Sequence, residues 1–127
     1  RIIAFANTYE YGQGYYILTD YTQERMYLHD FPQKDGHPSI SPNGKYIVTD
    51  TYPDFYRKQH IYIADTTDYK AVKVAEIYSS VKYRDEYRCD LHPRWNYNST
   101  EICFDATKNG KRDVYILDLR KIDYDER

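Results

Sequence analysis

The sequence contains few of the residues that usually build a protein core. Of its 127 residues only 25 are Leu, Ile, Val or Phe, with one Met and one Trp, and its mean hydropathy is -0.90. It has no run of about 18 apolar residues, which a membrane-spanning helix would need. Its 18 basic and 20 acidic residues leave a net charge of -2, without the basic footprint of a nucleic-acid-binding domain. We therefore expect neither a membrane span nor a nucleic-acid partner.

Cysteine is equally scarce. The two cysteines, Cys89 and Cys103, are too few for a disulfide framework. If Leu91–Asn96 and Glu101–Thr107 form a hairpin, Cys103 lies roughly opposite Trp95, several residues from Cys89. Because the Cα atoms of a disulfide lie within about 7 Å of each other, we expect both thiols to be free.

Tyrosine, in contrast, is abundant. The 17 tyrosines supply apolar area that the aliphatic residues lack, and the chain length predicts one domain. Short segments rich in tyrosine and β-branched residues recur between turn signals, and no window carries a helical stripe. We therefore predict an all-β fold. The predicted strands are Ile2–Asn7, Gly14–Asp20, Arg25–Phe31, Pro38–Ser41, Lys45–Thr51, His60–Asp65, Lys73–Ile77, Leu91–Asn96, Glu101–Thr107 and Asp113–Leu119.

An internal repeat refines this prediction. Residues 37–50 align with residues 92–105, and residues 60–65 align with residues 113–118. Each unit contains a strand, a tight turn, a second strand, a longer loop and a third strand that ends in Asp; the first unit adds a fourth strand. A period of about 40–50 residues with four strands per unit is typical of β-propeller blades.

The number of strands predicts an incomplete propeller. Residues 1–33 fit a blade of three strands, residues 34–80 a complete blade, and residues 88–127 another blade of three strands. These are about 2.5 to 3 blades, whereas closed propellers typically have four to eight. We therefore predict a partial β-propeller of four-stranded antiparallel blades. Its partners would be the remaining blades of a longer chain, or further copies that cover the open sheet edges.

The repeat also carries a resemblance to known proteins. Asp35–Lys45 (DGHPSISPNGK) and His92–Trp95 (HPRW) resemble the blade signature of TolB-type, WD40-like propellers. The longer strings Ile47–Asp54 (IVTDTYPD) and Arg88–Trp95 (RCDLHPRW) resemble bacterial proteins related to oligogalacturonate lyases. The sequence departs from the blade signature at Asn96–Ser99, where Ser-Pro-Asp-Gly is usual.

The lyase resemblance, which covers residues 35–120, implies a β-elimination on a uronic-acid glycan with a divalent metal, Mn or Zn. The C5 proton beside the uronate carboxylate is too weakly acidic to be removed unless a metal ion or an arginine neutralises the carboxylate. A His, Tyr or Lys base then removes that proton, and a general acid protonates the leaving oxygen.

Three residues are candidates for the metal site. His37 and His92 hold equivalent positions in successive predicted blades, so the repeat should bring both imidazoles towards the central axis. Cys89 precedes His92 in a Cys-x-x-His spacing that suits zinc. The alternatives are structural: His-Pro marks the start of a blade and each imidazole bonds nearby backbone, while Cys89 is a buried thiol.

Two further residues are candidates for catalysis. Arg94 would clamp the uronate carboxylate, because a guanidinium binds carboxylates through two parallel bonds; Arg88 is the weaker candidate, since acidic neighbours can pair with it. Tyr78 would transfer the proton, because it lies in the predicted linker Ile77–Asp90 and loops on a rigid scaffold often carry function. With so many tyrosines, packing is the alternative role for Tyr78.

These residues leave three interpretations open. The first is a propeller-type lyase that uses His37 and His92 for the metal, Arg94 for the substrate and Tyr78 or a histidine for the proton. The second is a non-catalytic TolB/WD40-like propeller that binds a protein or a glycan. The third is an isolated β-sandwich. The compartment is open between the bacterial periplasm and cytoplasm, with a preference for the periplasm.

Overall fold

The computed structural model describes residues 1–122, in which ten β-strands and no α-helix occur. Two 3-10 helices lie at Asp85–Tyr87 and Leu119–Lys121, and no helix of this range is long and apolar enough to cross a membrane. The all-β prediction is confirmed. The strands are β1 Ile2–Thr8, β2 Gly12–Leu18, β3 Arg25–Tyr27, β4 Ser39–Ile40, β5 Tyr46–Asp50, β6 Lys58–Asp65, β7 Ala71–Tyr78, β8 Arg94–Trp95, β9 Glu101–Ala106 and β10 Asp113–Asp118.

The strands form three antiparallel sheets in which consecutive strands are neighbours. Sheet 1 contains β1 to β3, sheet 2 contains β4 to β7, and sheet 3 contains β8 to β10. The pairing of β6 with β7 shifts between Ile61 and Tyr62, which marks a bulge. The division of the chain into blades at residues 1–33, 34–80 and 88–127 stays a prediction.

The first strand of sheet 3 is shorter than predicted. The predicted strand Leu91–Asn96 is reduced to Arg94–Trp95, because His92 takes a φ of 45° that a strand does not allow. In the resulting pairing Cys103 lies opposite Arg94, one position from the expected Trp95. Both cysteines are free, as expected.

Sheet 2 lies between the other two sheets and is covered on both faces. One core cluster joins sheet 1 to the face of sheet 2 that carries Ile47 and Ala64. A second cluster joins sheet 3 to the face that carries Val48, Ile61 and Ile63. Such burial on both faces explains why apolar residues follow each other in β5 and β6 rather than alternating with polar ones.

The repeated turns keep one conformation despite their different sequences. Gly44 has a φ of 75°, and its counterpart Ser99 has a φ of 59°. The N–H of Gly44 donates to the carbonyl of Ser41, and that of Ser99 donates to Asn96 in the same way. Ser99 is buried and its hydroxyl accepts the backbone N–H of Asn43. This bond offsets part of the cost of a left-handed serine.

The two ends of the sheets differ in the loops that they carry. We define the histidine end by loops 8–12, 51–57 and 107–112 and by segments 28–38 and 79–93, which lead towards β4 and β8. The opposite end carries turns 19–24, 41–45, 66–70 and 96–100. The bond from Asn43 to Ser99 joins sheets 2 and 3 at the opposite end.

Candidate functional site

A buried carboxylate joins sheets 2 and 3 at the histidine end. Asp50, the last residue of β5, has 2% of its side chain exposed. Its Oδ1 accepts the backbone N–H of His37 at 2.6 Å, and its Oδ2 accepts that of His92 at 3.0 Å. The Nδ1 atom of His37 also lies 3.1 Å from both oxygens. Because a buried carboxylate needs such donors to offset its desolvation, Asp50 fixes the segments that precede β4 and β8.

The two predicted histidines lie against each other. The ring centroids of His37 and His92 are 3.6 Å apart, with 28° between the ring planes. The ring of Tyr52 meets His37 edge-on at 5.7 Å, and the guanidinium of Arg88 lies 4.4 Å from the centre of the Tyr52 ring. Arg88 pairs in turn with Asp90, and their hydrogen bond raises the pKa of Arg88. The outcome is a stack of rings bordered by an ion pair.

This stack bears on the predicted metal site. A neutral imidazole accepts through a single ring nitrogen whose lone pair lies in the ring plane. In a face-to-face stack the lone pairs of two rings run side by side instead of converging on one ion, and Asp50 already engages Nδ1 of His37. Residues 1–122 contain no group of three His, Cys, Asp or Glu side chains arranged as metal ligands. A metal bound by His37, His92 and Cys89 stays a prediction.

Cys89 is a buried thiol. Only 4% of the residue is exposed, and burial raises the pKa of its thiol. Its carbonyl oxygen accepts a bond of 2.9 Å from Nε2 of Gln59, a fully buried residue of β6. Because metals bind the thiolate and not the thiol, this environment disfavours metal binding by Cys89.

Arg94 is already engaged by a carboxylate of its own sheet. Its Nη1 and Nη2 atoms each lie 3.2 Å from an oxygen of Asp105, and Nη1 also donates to the carbonyl of His92 at 2.9 Å. The bond to Asp105 is the main cause that raises the pKa of Arg94. Both side chains remain nearly half exposed. A substrate carboxylate that bound Arg94 would therefore have to compete with Asp105.

Tyr78 lies at the other edge of sheet 2. It is the last residue of β7, pairs with Lys58 and is 58% exposed. Sheet 2 has the strand order β4-β5-β6-β7, and neighbouring strands lie about 4.8 Å apart, so roughly 14 Å separate β7 from β4. Tyr78 is thus remote from the strand that His37 precedes, and its catalytic role stays a prediction.

Sequence reasoning missed the loop between β5 and β6. In this loop Phe55 is 91% exposed and Tyr56 is 73% exposed. The two rings meet edge-on, with their centroids 5.3 Å apart. Large aromatic side chains are normally buried, so an exposed pair of this kind indicates a surface that another molecule covers.

Hydrogen bonds fix this loop. Oδ1 of Asp54 accepts the backbone N–H groups of Tyr56 and Lys58 at 2.9 and 3.0 Å. These bonds lower the pKa of Asp54, and the bond from the Lys58 N–H is the largest cause. Arg57 takes a φ of 62° and donates to three carbonyl oxygens of the segment between β7 and β8, those of Ser79, Ser80 and Tyr83. The loop therefore holds Phe55 and Tyr56 on a rigid support.

Exposed aromatic side chains are unevenly distributed between the two ends. The opposite end carries Tyr21 and Tyr97. Among residues 1–122, the histidine end carries more of them. Its exposed aromatic residues include Tyr9, Phe55, Tyr56, Tyr78 and Tyr87.

Comparison with known proteins identifies the fold. No protein-family model matches the chain, and no curated protein matches it. Among solved structures it is similar to the crystal structure of TolB from Acinetobacter baumannii, with a TM-score of 0.64 and 18% sequence identity. The match covers 86% of this chain and 25% of the TolB chain, so the chain spans a quarter of the length of that protein.

At this level of identity the similarity shows the fold alone. The three antiparallel sheets have the fold of part of a TolB-like β-propeller, which confirms the predicted fold class. No comparison supports the resemblance to oligogalacturonate lyases.

The repeat contains an acidic residue at the same position of both units, and this residue is not among the predicted site residues. Asp50 ends β5, and Asp105 holds the equivalent position of the repeat in β9, one residue before that strand ends, yet neither is among the candidate residues. An acidic residue at the same place in both repeats is a signal for a bond between blades. No comparable signal marks the exposure of Phe55, because an isolated Phe in a sequence predicts a core residue.

Proposed function

We propose that the chain is part of a non-catalytic TolB-like propeller that binds a partner protein through its histidine end. The observation that carries this proposal is the rigid display of Phe55 and Tyr56, 91% and 73% exposed. Anchoring residues of protein interfaces are enriched in aromatic side chains that fill pockets of the partner. A preorganised loop lowers the entropy that binding costs.

The shape of this end favours a protein over a glycan as the partner. Phe55 and Tyr9 project almost fully into solvent, where a partner with pockets of its own, such as a protein, can enclose their rings. Beside the loop lies a groove of about 730 Å³ that would accept a side chain of the partner. Its walls include His29, Phe31, Lys34, Tyr52, Asp54 and Tyr62.

A capture experiment with two matched variants tests the proposal. The chain is immobilised and exposed to a lysate of its source organism, beside Phe55→Ser/Tyr56→Ser and, as the control from the opposite end, Tyr21→Ser/Tyr97→Ser. We expect at least one protein that the unaltered chain and the control retain and the Phe55/Tyr56 variant loses. Equal retention by all three would contradict the proposal.

A lyase is the second candidate, and one observation favours it. The stacked rings of His37 and His92 lie beside Arg94, whose Nη1 bonds the carbonyl of His92. In this proposal Arg94 exchanges Asp105 for a uronate carboxylate, and His37, held by Asp50, removes the C5 proton. The C4–O bond then breaks as the C4=C5 double bond forms, and water protonates the leaving oxygen. A divalent metal, if bound, would supply further neutralisation of the uronate.

The lyase candidate has a direct assay. The chain is incubated with pectic and ulvan oligomers in the presence of Mn²⁺ or Zn²⁺, and unsaturated uronide is followed by absorbance. The lyase would be favoured if the unaltered chain were active, Arg94→Gln abolished this activity and Phe55→Ser left it unchanged. Absence of unsaturated product would leave the protein-binding function as the better proposal.

A further inference from the structure

We infer that the outer face of sheet 3 is a docking surface for a further four-stranded blade, whose leading segment donates a backbone N–H to Asp105. This outer face consists of Cys103 and Asp105 on β9 and of Val114 and Ile116 on β10, which lie opposite one another in the pairing of these strands. The inference rests on the two repeats and is independent of the proposed function.

The apolar residues of this face have buried counterparts in sheet 2. Val114 and Ile116 correspond in the repeat to Ile61 and Ile63. Ile61 and Ile63 are 0% and 1% exposed beneath sheet 3, whereas Val114 and Ile116 are 61% and 67% exposed. The same surface is therefore covered by a sheet at one junction and open at the next. A sheet of the kind that covers Ile61 is the occupant that fits it.

The polar residue of this face, Asp105, also has a buried counterpart in sheet 2. Asp105 corresponds to Asp50, whose carboxylate is 2% exposed and receives the His92 N–H from the next sheet. Asp105 is 43% exposed, and Arg94 occupies its two oxygens. The counterpart of Arg94 in sheet 2 is Ser39, which has no charge. Asp105 thus offers an arriving blade the acceptor that Asp50 provides to sheet 3.

A second copy of this chain fits the outer face poorly. His-Pro occurs in the sequence only at residues 37–38 and 92–93, and Asp50 already binds the N–H groups of both histidines. The outer side of sheet 1, the other candidate, is covered by its own rings: Tyr16 is 3% exposed and packs on Tyr27, on which Tyr11 stacks at 4.5 Å. We therefore assign the surface to a further blade with its own leading segment.

An extended chain tests this assignment. A second copy of residues 79–122, which contains a leading segment and a three-stranded sheet, is joined behind residue 127. Hydrogen exchange of β10 is then compared with that of the unaltered chain. We expect protection of β10 to rise at least about tenfold. Asp105→Asn should remove most of this gain in the extended chain while leaving exchange in the unaltered chain unchanged. Unchanged protection of β10 in a folded extended chain would overturn the inference.

Measurements on the unaltered chain cover the case in which the extended chain does not fold. Val114→Asp with Ile116→Asp should leave the Tm unchanged, whereas the matched variant Ile61→Asp should lower it strongly. If Val114→Asp with Ile116→Asp lowered the Tm as strongly as Ile61→Asp, the outer face would already be covered in the unaltered chain. That result would contradict the inference. Sedimentation should show a monomer. A dimer that Val114→Asp with Ile116→Asp dissociates would assign the surface to a second copy instead.

Discussion

The carboxylate of Asp50 accepts the backbone N–H of His92, a residue that precedes the next sheet, at 3.0 Å. The same carboxylate holds the N–H and the ring of His37 in its own sheet. One buried side chain therefore bonds the leading segments of two sheets, and the imidazoles of these segments stack on each other. Substitution of Asp50 is therefore the first test of how the histidine end is held together.

Asp50→Asn should lower the free energy of unfolding by about 2–4 kcal/mol, because the amide can accept through only one oxygen and leaves a buried donor opposed to a backbone N–H. Urea denaturation measures this loss. Asp105→Asn, at the exposed counterpart position, should change stability by no more than about 0.5 kcal/mol. Similar losses for both variants would contradict a special role of Asp50.

Gly36 is required by a close approach of two backbone segments. A Cβ atom at this position would lie 1.9 Å from the carbonyl oxygen of Asp50 and 2.8 Å from the hydroxyl of Tyr15. Gly36→Ala should therefore cost at least about 3 kcal/mol. Gly44→Ala is the control, since Gly44 has a positive φ and free space around it; it should cost about 1 kcal/mol. Equal thermal stability of the two variants would contradict the close packing at Gly36.

Tyr15 should make the protein sensitive to alkaline pH. Burial raises the pKa of Tyr15 from 10.0 to about 12, because the fully buried hydroxyl loses solvation on ionisation. The stability that the neutral hydroxyl contributes is complete below pH 10 and is lost as the pH rises to about 12. The loss is about 2–3 kcal/mol over that range. Urea denaturation at a series of pH values measures it.

Tyr15→Phe is the control for this pH dependence. It removes the hydroxyl that donates to the carbonyl of Lys34 and contacts the Thr49 hydroxyl, both at 3.0 Å, and should cost about 1 kcal/mol at neutral pH. Its stability should fall less steeply than that of the unaltered protein above pH 10. An identical alkaline slope in both proteins would show that Tyr15 does not cause the effect.

The two cysteines should differ in reactivity. Cys89 is buried and its thiol has a raised pKa, while Cys103 is partly exposed on the outer face of sheet 3. Because thiol reagents attack the accessible thiolate, Cys103 should react first and Cys89 only after unfolding. Following the release of the coloured thiol from an aromatic disulfide reagent would resolve the two phases. Cys103→Ser should abolish the fast phase; a fast phase that persists would mean that Cys89 is accessible.

The sequence predicted the fold better than the site, for physical reasons that individual residues illustrate. Strand periodicity and the repeat depend on local sequence, so the sheets and the meeting of His37 and His92 could be predicted. The turn at Ser99 kept the conformation of Gly44, which a blade signature based on glycine does not foresee. The late start of β8 at Arg94 depends on the positive φ of His92, whose backbone N–H Asp50 accepts from 42 residues away.

The environments of the candidate site residues were harder to predict because they depend on exposure and on competing partners. Arg94 is a plausible carboxylate clamp in sequence, but Asp105 lies within reach only through the pairing of β8 with β9. Tyr78 was placed in a linker and instead ends β7. The exposed position of Phe55 is held by the local bond from Tyr56 to Asp54 and by the bond of Arg57 to Ser79, 22 residues away, which sequence pattern does not reveal.

Photo-crosslinking tests the proposed function most directly, because it reports which end of the molecule touches a partner inside the cell. Phe55 is replaced by p-benzoylphenylalanine in one strain, and Tyr21, at the opposite end, is replaced in a second strain. We expect irradiation to produce a protein adduct from position 55 and none from position 21. An adduct from position 21 without one from position 55 would contradict binding through the histidine end, and so would the absence of adducts from both positions.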